Sequence, residues 1–305
     1  MSADVIVIIT GILAATSCAL IGSFLVLRQN AMLGDAISHA VLPGLVIAFL
    51  ITASRNVLPM LVGAAVMGLF TAYLTESLSR TKRLYSDAAL GVVFTALFAI
   101  GVILVAVYTD SVDLDQDCVL YGEIAYTPWN TLVIGGSDLG PRPLWILGGV
   151  LLADLLFVVL FYRQLVICSF DPGMARAVGI NERLWHYLLM TMVSLTVVAA
   201  FESVGAILVV AMLIVPGATA YLLTSNLKLM LILSVAAGAV AAVGGFYGAA
   251  AMDASIAGMM TVVTGTVFAL AVVYKVITTR LARRATAQEG PTPPSTSTPA
   301  PSSNA

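Results

Sequence analysis

Uncharged apolar runs separated by short polar joints occupy most of the chain. Val5 to Leu27, Val57 to Thr75, Ala88 to Thr109, Leu229 to Met252 and Ala254 to Tyr274 contain no charged residue. A hydrocarbon core of ~30 Å takes about 20 helical residues to cross, and in lipid a helix satisfies its own backbone groups along one segment. Each run therefore predicts a membrane-spanning helix. Pro143 to Tyr162 joins them with a single acid, Asp154. Tyr187 to Leu227 is too long for one crossing and is interrupted by Glu202, which predicts two helices and a short connection. Ala40 to Ser54 is short, and reaches spanning length only if the polar stretch with Gly34, Asp35, Ser38 and His39 is helical as well. The expectation is an all-α, polytopic bundle of about nine spans (eight to ten), eight if a segment near Glu202 is re-entrant.

Composition agrees with a membrane protein. The 305 residues are 60% hydrophobic and 10% charged, with a mean hydropathy of +1.03, whereas a soluble domain carries about 25% charged residues to cover its surface. Basic residues collect in cytoplasmic loops. Arg80, Lys82 and Arg83 form one cluster, Arg163, Arg176 and Arg183 a second, and Lys275, Arg280, Arg283 and Arg284 a third, while Asp110, Asp113, Asp115, Asp117 and Glu123 make one loop acidic. Nine spans put the three basic clusters on one side and the acidic loop on the other, with the N-terminus outside and the C-terminus cytoplasmic. The first run lacks a preceding Lys or Arg and is too long for the core of a signal peptide. From Ala285 the chain turns to Pro, Ser, Thr and Ala, a composition that cannot bury a core. The expected division is a transmembrane domain over residues 1–280 and a disordered cytoplasmic tail over 281–305. Cys18, Cys118 and Cys168 form no CxxC pair, and a net charge of −2 gives no sign of nucleic-acid binding.

No P-loop, GxSxG, HExxH or dinucleotide-binding motif is present, so ATP hydrolysis is not expected on this chain. The informative residues are polar ones inside apolar runs, which are costly in lipid and functional by default. Asp35 and His39 stand four apart, one turn apart on the same helix face. They offer an oxygen and a nitrogen ligand of the kind manganese, iron and zinc accept. The alternative is a helix-capping aspartate and a histidine bonded to a neighbouring helix. Glu202 can line a pathway or complete a metal shell, or simply face water at a helix end. Asp253 reads as a helix cap, His186 as interfacial, and Asp154 as an acid paired within the bundle. Between the fifth and sixth spans, Asp171 is a good N-cap, Pro172 suits a first helical turn, and Gly179 suits a C-terminal stop. The sequence there predicts a short helix containing Ala175, of about two turns, lying along the membrane surface and docking another protein.

Three motifs in order carry a resemblance: GDAISHAVLPG from Gly34 to Gly44, FDPGMARAVGIN from Phe170 to Asn181, and VGAILVVAMLIVPGATA from Val204 to Ala220. Together they resemble the permeases of the manganese/zinc/iron ABC importers, over about Val5 to Tyr274. The stretch from Asp113 to Ile124 looks more like the manganese/iron branch. The resemblance implies a permease in the plasma membrane, working as a pair with a second copy or a related chain. Each would dock its cytoplasmic coupling helix (Asp171, Pro172, Ala175, Gly179) onto an ATPase subunit that binds ATP. An extracytoplasmic metal-binding lipoprotein would deliver the ion, and Asp35 and His39 are the implied metal contacts. The rival readings are a proton-coupled secondary transporter acting without an ATPase and a non-transporting membrane scaffold.

Overall fold

A computed structural model of the protein describes residues 2–52, 57–79, 85–108, 124–134 and 137–288. Among these are nine helices long and apolar enough to cross a membrane. The chain runs α1 (Ala3–Leu27), α2 (Ala31–Ala40), α3 (Leu42–Thr52), α4 (Val57–Ser79) and α5 (Ser86–Tyr108). After a 3₁₀ turn (Ile124–Trp129) and two short strands, β1 (Thr131–Ile134) and β2 (Ser137–Pro141), come α6 (Arg142–Leu160), α7 (Tyr162–Phe170) and α8 (Pro172–Ala177). α9 (Glu182–Val204), α10 (Ala206–Leu223), α11 (Leu227–Met252) and α12 (Ile256–Gln288) complete it. As the hydropathy pattern required, α2 and α3 together make one crossing, Ala31–Thr52.

α1 is the central helix and packs against α6, α9, α10 and α11, with Cys18, Ile21, Phe24 and Leu25 fully buried. Lipid supplies no hydrophobic force between helices, so close backbone approach and interhelical hydrogen bonds hold such bundles. Gly22 of α1 lies on the backbone carbonyl of Leu213 in α10, where a side chain would have no room. Ser23 donates to Ala19 O (2.7 Å) and lies 3.0 Å from the Ser234 hydroxyl of α11. Ser194 of α9 donates to Ala64 O of α4 at 2.9 Å. The outer helices leave apolar side chains such as Val92, Ile103, Leu152 and Val262 exposed, the surface a lipid-facing bundle presents.

Four details depart from the sequence expectation or refine it. The antiparallel pair β1–β2 is a small β element in a fold expected to be all helical, and its strands, of four and five residues, are too short to carry a strong periodic signal. The division of the long run falls at Gly205 rather than Glu202. Gly205 adopts φ 85°, ψ 161°, a backbone conformation essentially reserved for glycine, and one residue suffices to join α9 to α10. Asp253 closes α11 in the left-handed region (φ 51°), while the start of α12 is served by Ser255, whose hydroxyl accepts from Gly258 N at 3.4 Å. Finally, α12 continues to Gln288, past the boundary expected at residue 281. Arg80, Lys82, Arg83, the acidic loop from Asp110 to Glu123 with Cys118, and the chain beyond 288 lie outside the described residues.

Candidate functional site

α1 ends in a Schellman motif. Gln29 N donates to Val26 O (3.1 Å) and Asn30 N to Leu25 O (3.0 Å), with Gln29 in the left-handed region at φ 57°. Such closures commonly use glycine at this position; here a glutamine holds it. The chain then re-enters as α2, which is packed so closely on α10 that a Cβ on Gly34 would collide with the Leu213 side chain. In this setting Asp35 Oδ1 and His39 Nε2 come within 3.6 Å of each other on one face, each about one third exposed. The rings of Phe94 and Phe98, on α5, stand 6.2 and 5.8 Å from the imidazole, the second edge-on. Pro43 has no N–H, so the helical bond it would give the His39 carbonyl cannot form, and the crossing breaks into α2 and α3 just beyond His39.

Asp35 opens onto a cavity of about 220 Å³ lined also by Met32, Ala36, Asp87, Leu90, Gly91 and Phe94. Asp87 lies in the first turn of α5 and was not singled out in the sequence. Its signal was its place at the very start of an apolar run. The cavity thus presents two carboxylates against aromatic and aliphatic walls. Among the described residues no group of three or more His, Cys, Asp or Glu is close enough to hold a metal together. The Asp35–His39 turn offers one carboxylate oxygen and one imidazole nitrogen on the same face, donor types that borderline divalent ions accept.

Glu202 does not join them. Ile37 of α2 and Ser194 of α9 meet at Gly68, which sets the level of the Asp35–His39 turn along α9. Glu202 lies further along α9 by about 12 Å at 1.5 Å per residue, exposed near its C-terminus, with Arg142 as its charged neighbour. Asp154 is fully buried on α6 and accepts from the Thr196 hydroxyl of α9, 2.8 and 3.0 Å from its two oxygens. This is the pairing within the bundle that its position suggested. His186 packs edge-on to the Tyr187 ring and has Arg28, Glu76 and Glu182 as charged neighbours.

The short helix before α9 forms for the reasons read in the sequence. The Asp171 carboxylate accepts from Met174 N at 2.8 Å, Pro172 starts α8, and Gly179 (φ 83°) closes it in a second Schellman motif, with Ile180 N on Ala175 O at 2.9 Å. Its facing differs from expectation. Ala175 is fully buried, whereas Phe170, Met174 and Val178 are each about 60% exposed. Phe170 ends α7, Met174 lies in α8 and Val178 caps it, so this part of the chain leaves an exposed apolar stripe while Ala175 is turned inward.

A polytopic helical bundle with a carboxylate–imidazole pair at a broken span, and a capped helix offering an apolar stripe at one end, defines a membrane permease built to work with a partner. The ABC 3 transport family model matches residues 4–275, and the chain belongs to that family. It is 52% identical to the manganese transport system membrane protein MntD of Bacillus subtilis, over 90% of this chain and 92% of that one. It is 41% identical to the zinc transport system membrane protein TroD of Treponema pallidum, over 88% of this chain and 73% of the relative. Among solved structures, PsaBC from Streptococcus pneumoniae in complex with Fab superposes with a TM-score of 0.73 at 34% identity, covering 87% of this chain and 89% of that one.

Proposed function

We propose that this chain is the membrane-spanning subunit of an ATP-driven importer that carries a divalent transition metal, manganese before zinc or iron, into the cell. The observation that carries this reading is the Asp35–His39 pair, 3.6 Å apart and about one third exposed, with Asp35 on a cavity that Asp87 also lines. The strongest relatives named for manganese favour that ion. A carboxylate and a neutral imidazole suit it among borderline divalent cations. With two protein donors and water for the rest, the ion is held weakly enough to leave.

Transport then follows from the arrangement of this chain. The ion arrives from an extracytoplasmic metal-binding lipoprotein, exchanges part of its water for Asp35 and His39, and leaves through the cavity past Asp87. ATP is bound and hydrolysed by a separate ATPase subunit, which seats on Phe170, Met174 and Val178. A second permease, either another copy or a related chain, completes the pathway in the plasma membrane. The basic clusters and the stripe of α8 then face the cytoplasm, as does the C-terminus. The exposed apolar stripe favours this reading over a proton-coupled transporter, which has no partner to seat there.

The test is uptake of Mn(II) into cells lacking their own importers, with the chain expressed beside its ATPase. Uptake should be ATP-dependent and compete with Zn(II) and Fe(II). The Asp35→Ala, His39→Ala double variant should lose it at unchanged membrane level. Uptake that follows a proton gradient and ignores ATP depletion would replace this reading with the secondary transporter.

A further inference from the structure

The Arg28 side chain bridges two parts of the chain that the proposed transport cycle must connect. It lies where α1 ends, and its Nε donates to the Ser169 hydroxyl at 3.0 Å. Ser169 is near the end of α7, the helix that leads through Asp171 into α8, and its own hydroxyl donates back to Leu165 O at 2.6 Å. On the other side, Arg28 is followed by the left-handed Gln29 and then by α2. The guanidinium thus spans from the stem of the docking helix to the hinge that precedes Asp35 and His39.

Two further features make the link more than a packing contact. Arg28 Nη2 is buried with no hydrogen-bond partner among the described residues, and so is the Gln164 Oε1 of α7. Leaving a buried guanidinium N–H unsatisfied is costly, and a second arrangement that pairs it relieves that cost. Glu182, at the start of α9, is a charged neighbour of Arg28 and already pairs with Arg176 of α8, at 3.4 Å. A shift of α8 therefore changes the surroundings of Ser169, which the guanidinium bonds, and of Glu182, whose charge acts on it.

We infer that Arg28 is a positioning residue that couples movement of α8 to the α1–α2 hinge, and so to the orientation of Asp35 and His39. This rests on the proposed function, in which α8 receives the stroke of the ATPase. A rigid hydrogen-bonded bridge with a spare donor is an element both ends can bias, which a coupling role requires.

The experiment measures Mn(II) uptake and ATP hydrolysis together in proteoliposomes holding the whole complex, for wild type, Arg28→Gln, Ser169→Ala and the double variant. Wild-type Mn(II) uptake driven by ATP establishes the underlying function, and its absence refutes that reading rather than this one. Arg28→Gln is expected to hydrolyse ATP at near the wild-type rate while Mn(II) uptake falls by roughly tenfold, so that more ATP is used per ion. Ser169→Ala should move the ratio in the same direction by less, and the double variant should be no worse than Arg28→Gln alone, as for two groups acting through one contact. Parallel loss of hydrolysis and uptake, an unchanged ATP-to-ion ratio, or additive effects of the two substitutions would each overturn the inference. If Arg28→Gln fails to reach the membrane, Ser169→Ala decides, since it removes the acceptor and leaves the guanidinium intact.

Discussion

Asp35 and His39, the proposed metal contacts, stand one turn apart and about one third exposed, and Asp35 lines a cavity. Asp87 lines the same cavity from another helix, which on the proposed transport path places it at the exit. Asp87→Asn should lower the rate of Mn(II) release more than the affinity for the ion, seen as a reduced maximal uptake with little change in the half-saturating concentration; the reverse pattern would make Asp87 a binding ligand. The glycines allow a sharper contrast. A methyl at position 34 meets the end of the Leu213 side chain, which can rotate, whereas a methyl at position 22 meets the Leu213 backbone carbonyl, which cannot. Gly22→Ala should therefore cost about 1–3 kcal/mol through overpacking and deplete the folded protein in membranes, while Gly34→Ala stays near wild type; equal expression of the two would contradict the packing described. Much of this site was legible in the sequence. Asp35 and His39 are marked by helical spacing inside an apolar run, whereas Asp87 has only its place at the start of one. Its relevance comes from α5 packing beside α2, a non-local fact. Glu202 shows the opposite limit, since an acid in a long apolar run signals a site only if the fold brings it level with the rest.

Among the elements, the spans were the most readable, because lipid allows a helix few alternatives. α8 was readable too, since its cap, its proline and its terminal glycine are local signals. Which face it presents was not, because that is decided by how α7 and α9 hold it. The consequence is testable. Met174→Asp should weaken retention of the ATPase during purification by at least about tenfold, as expected for a charge placed in an apolar contact, whereas Arg163→Ala, off the stripe, should not; full retention by Met174→Asp would remove the docking role from this stripe. Gly179→Ala forces a side chain into φ 83°, a strain of about 1–2 kcal/mol. It should fray the end of α8, loosening ATPase association without changing the stripe itself, and unaltered association would show that the second Schellman motif does not organise the helix. The hairpin β1–β2 and the one-residue joint at Gly205 escaped a reading based on apolar runs, which marks what crosses the membrane and says little about how crossings are joined.

At the scale of the whole molecule, the nine apolar helices among the described residues and the family match from residue 4 to 275 describe a membrane permease, whose proposed working parts lie at two levels, a polar pair inside the bundle and an apolar stripe at its end. Shortening the chain after Gln288 leaves every described element intact, so insertion, ATPase association and uptake should persist at the wild-type rate; a large loss of uptake at normal membrane level would assign the last residues a role. The length of α12 has its own consequence. Its 33 residues rise ~50 Å at 1.5 Å each, about 20 Å more than the hydrocarbon core takes up. Headgroup layers bring the bilayer to ~40–45 Å, so the helix reaches through them with only about 5–10 Å over, and a fluorescent protein fused directly after Gln288 would ride at the membrane surface on a stiff stem.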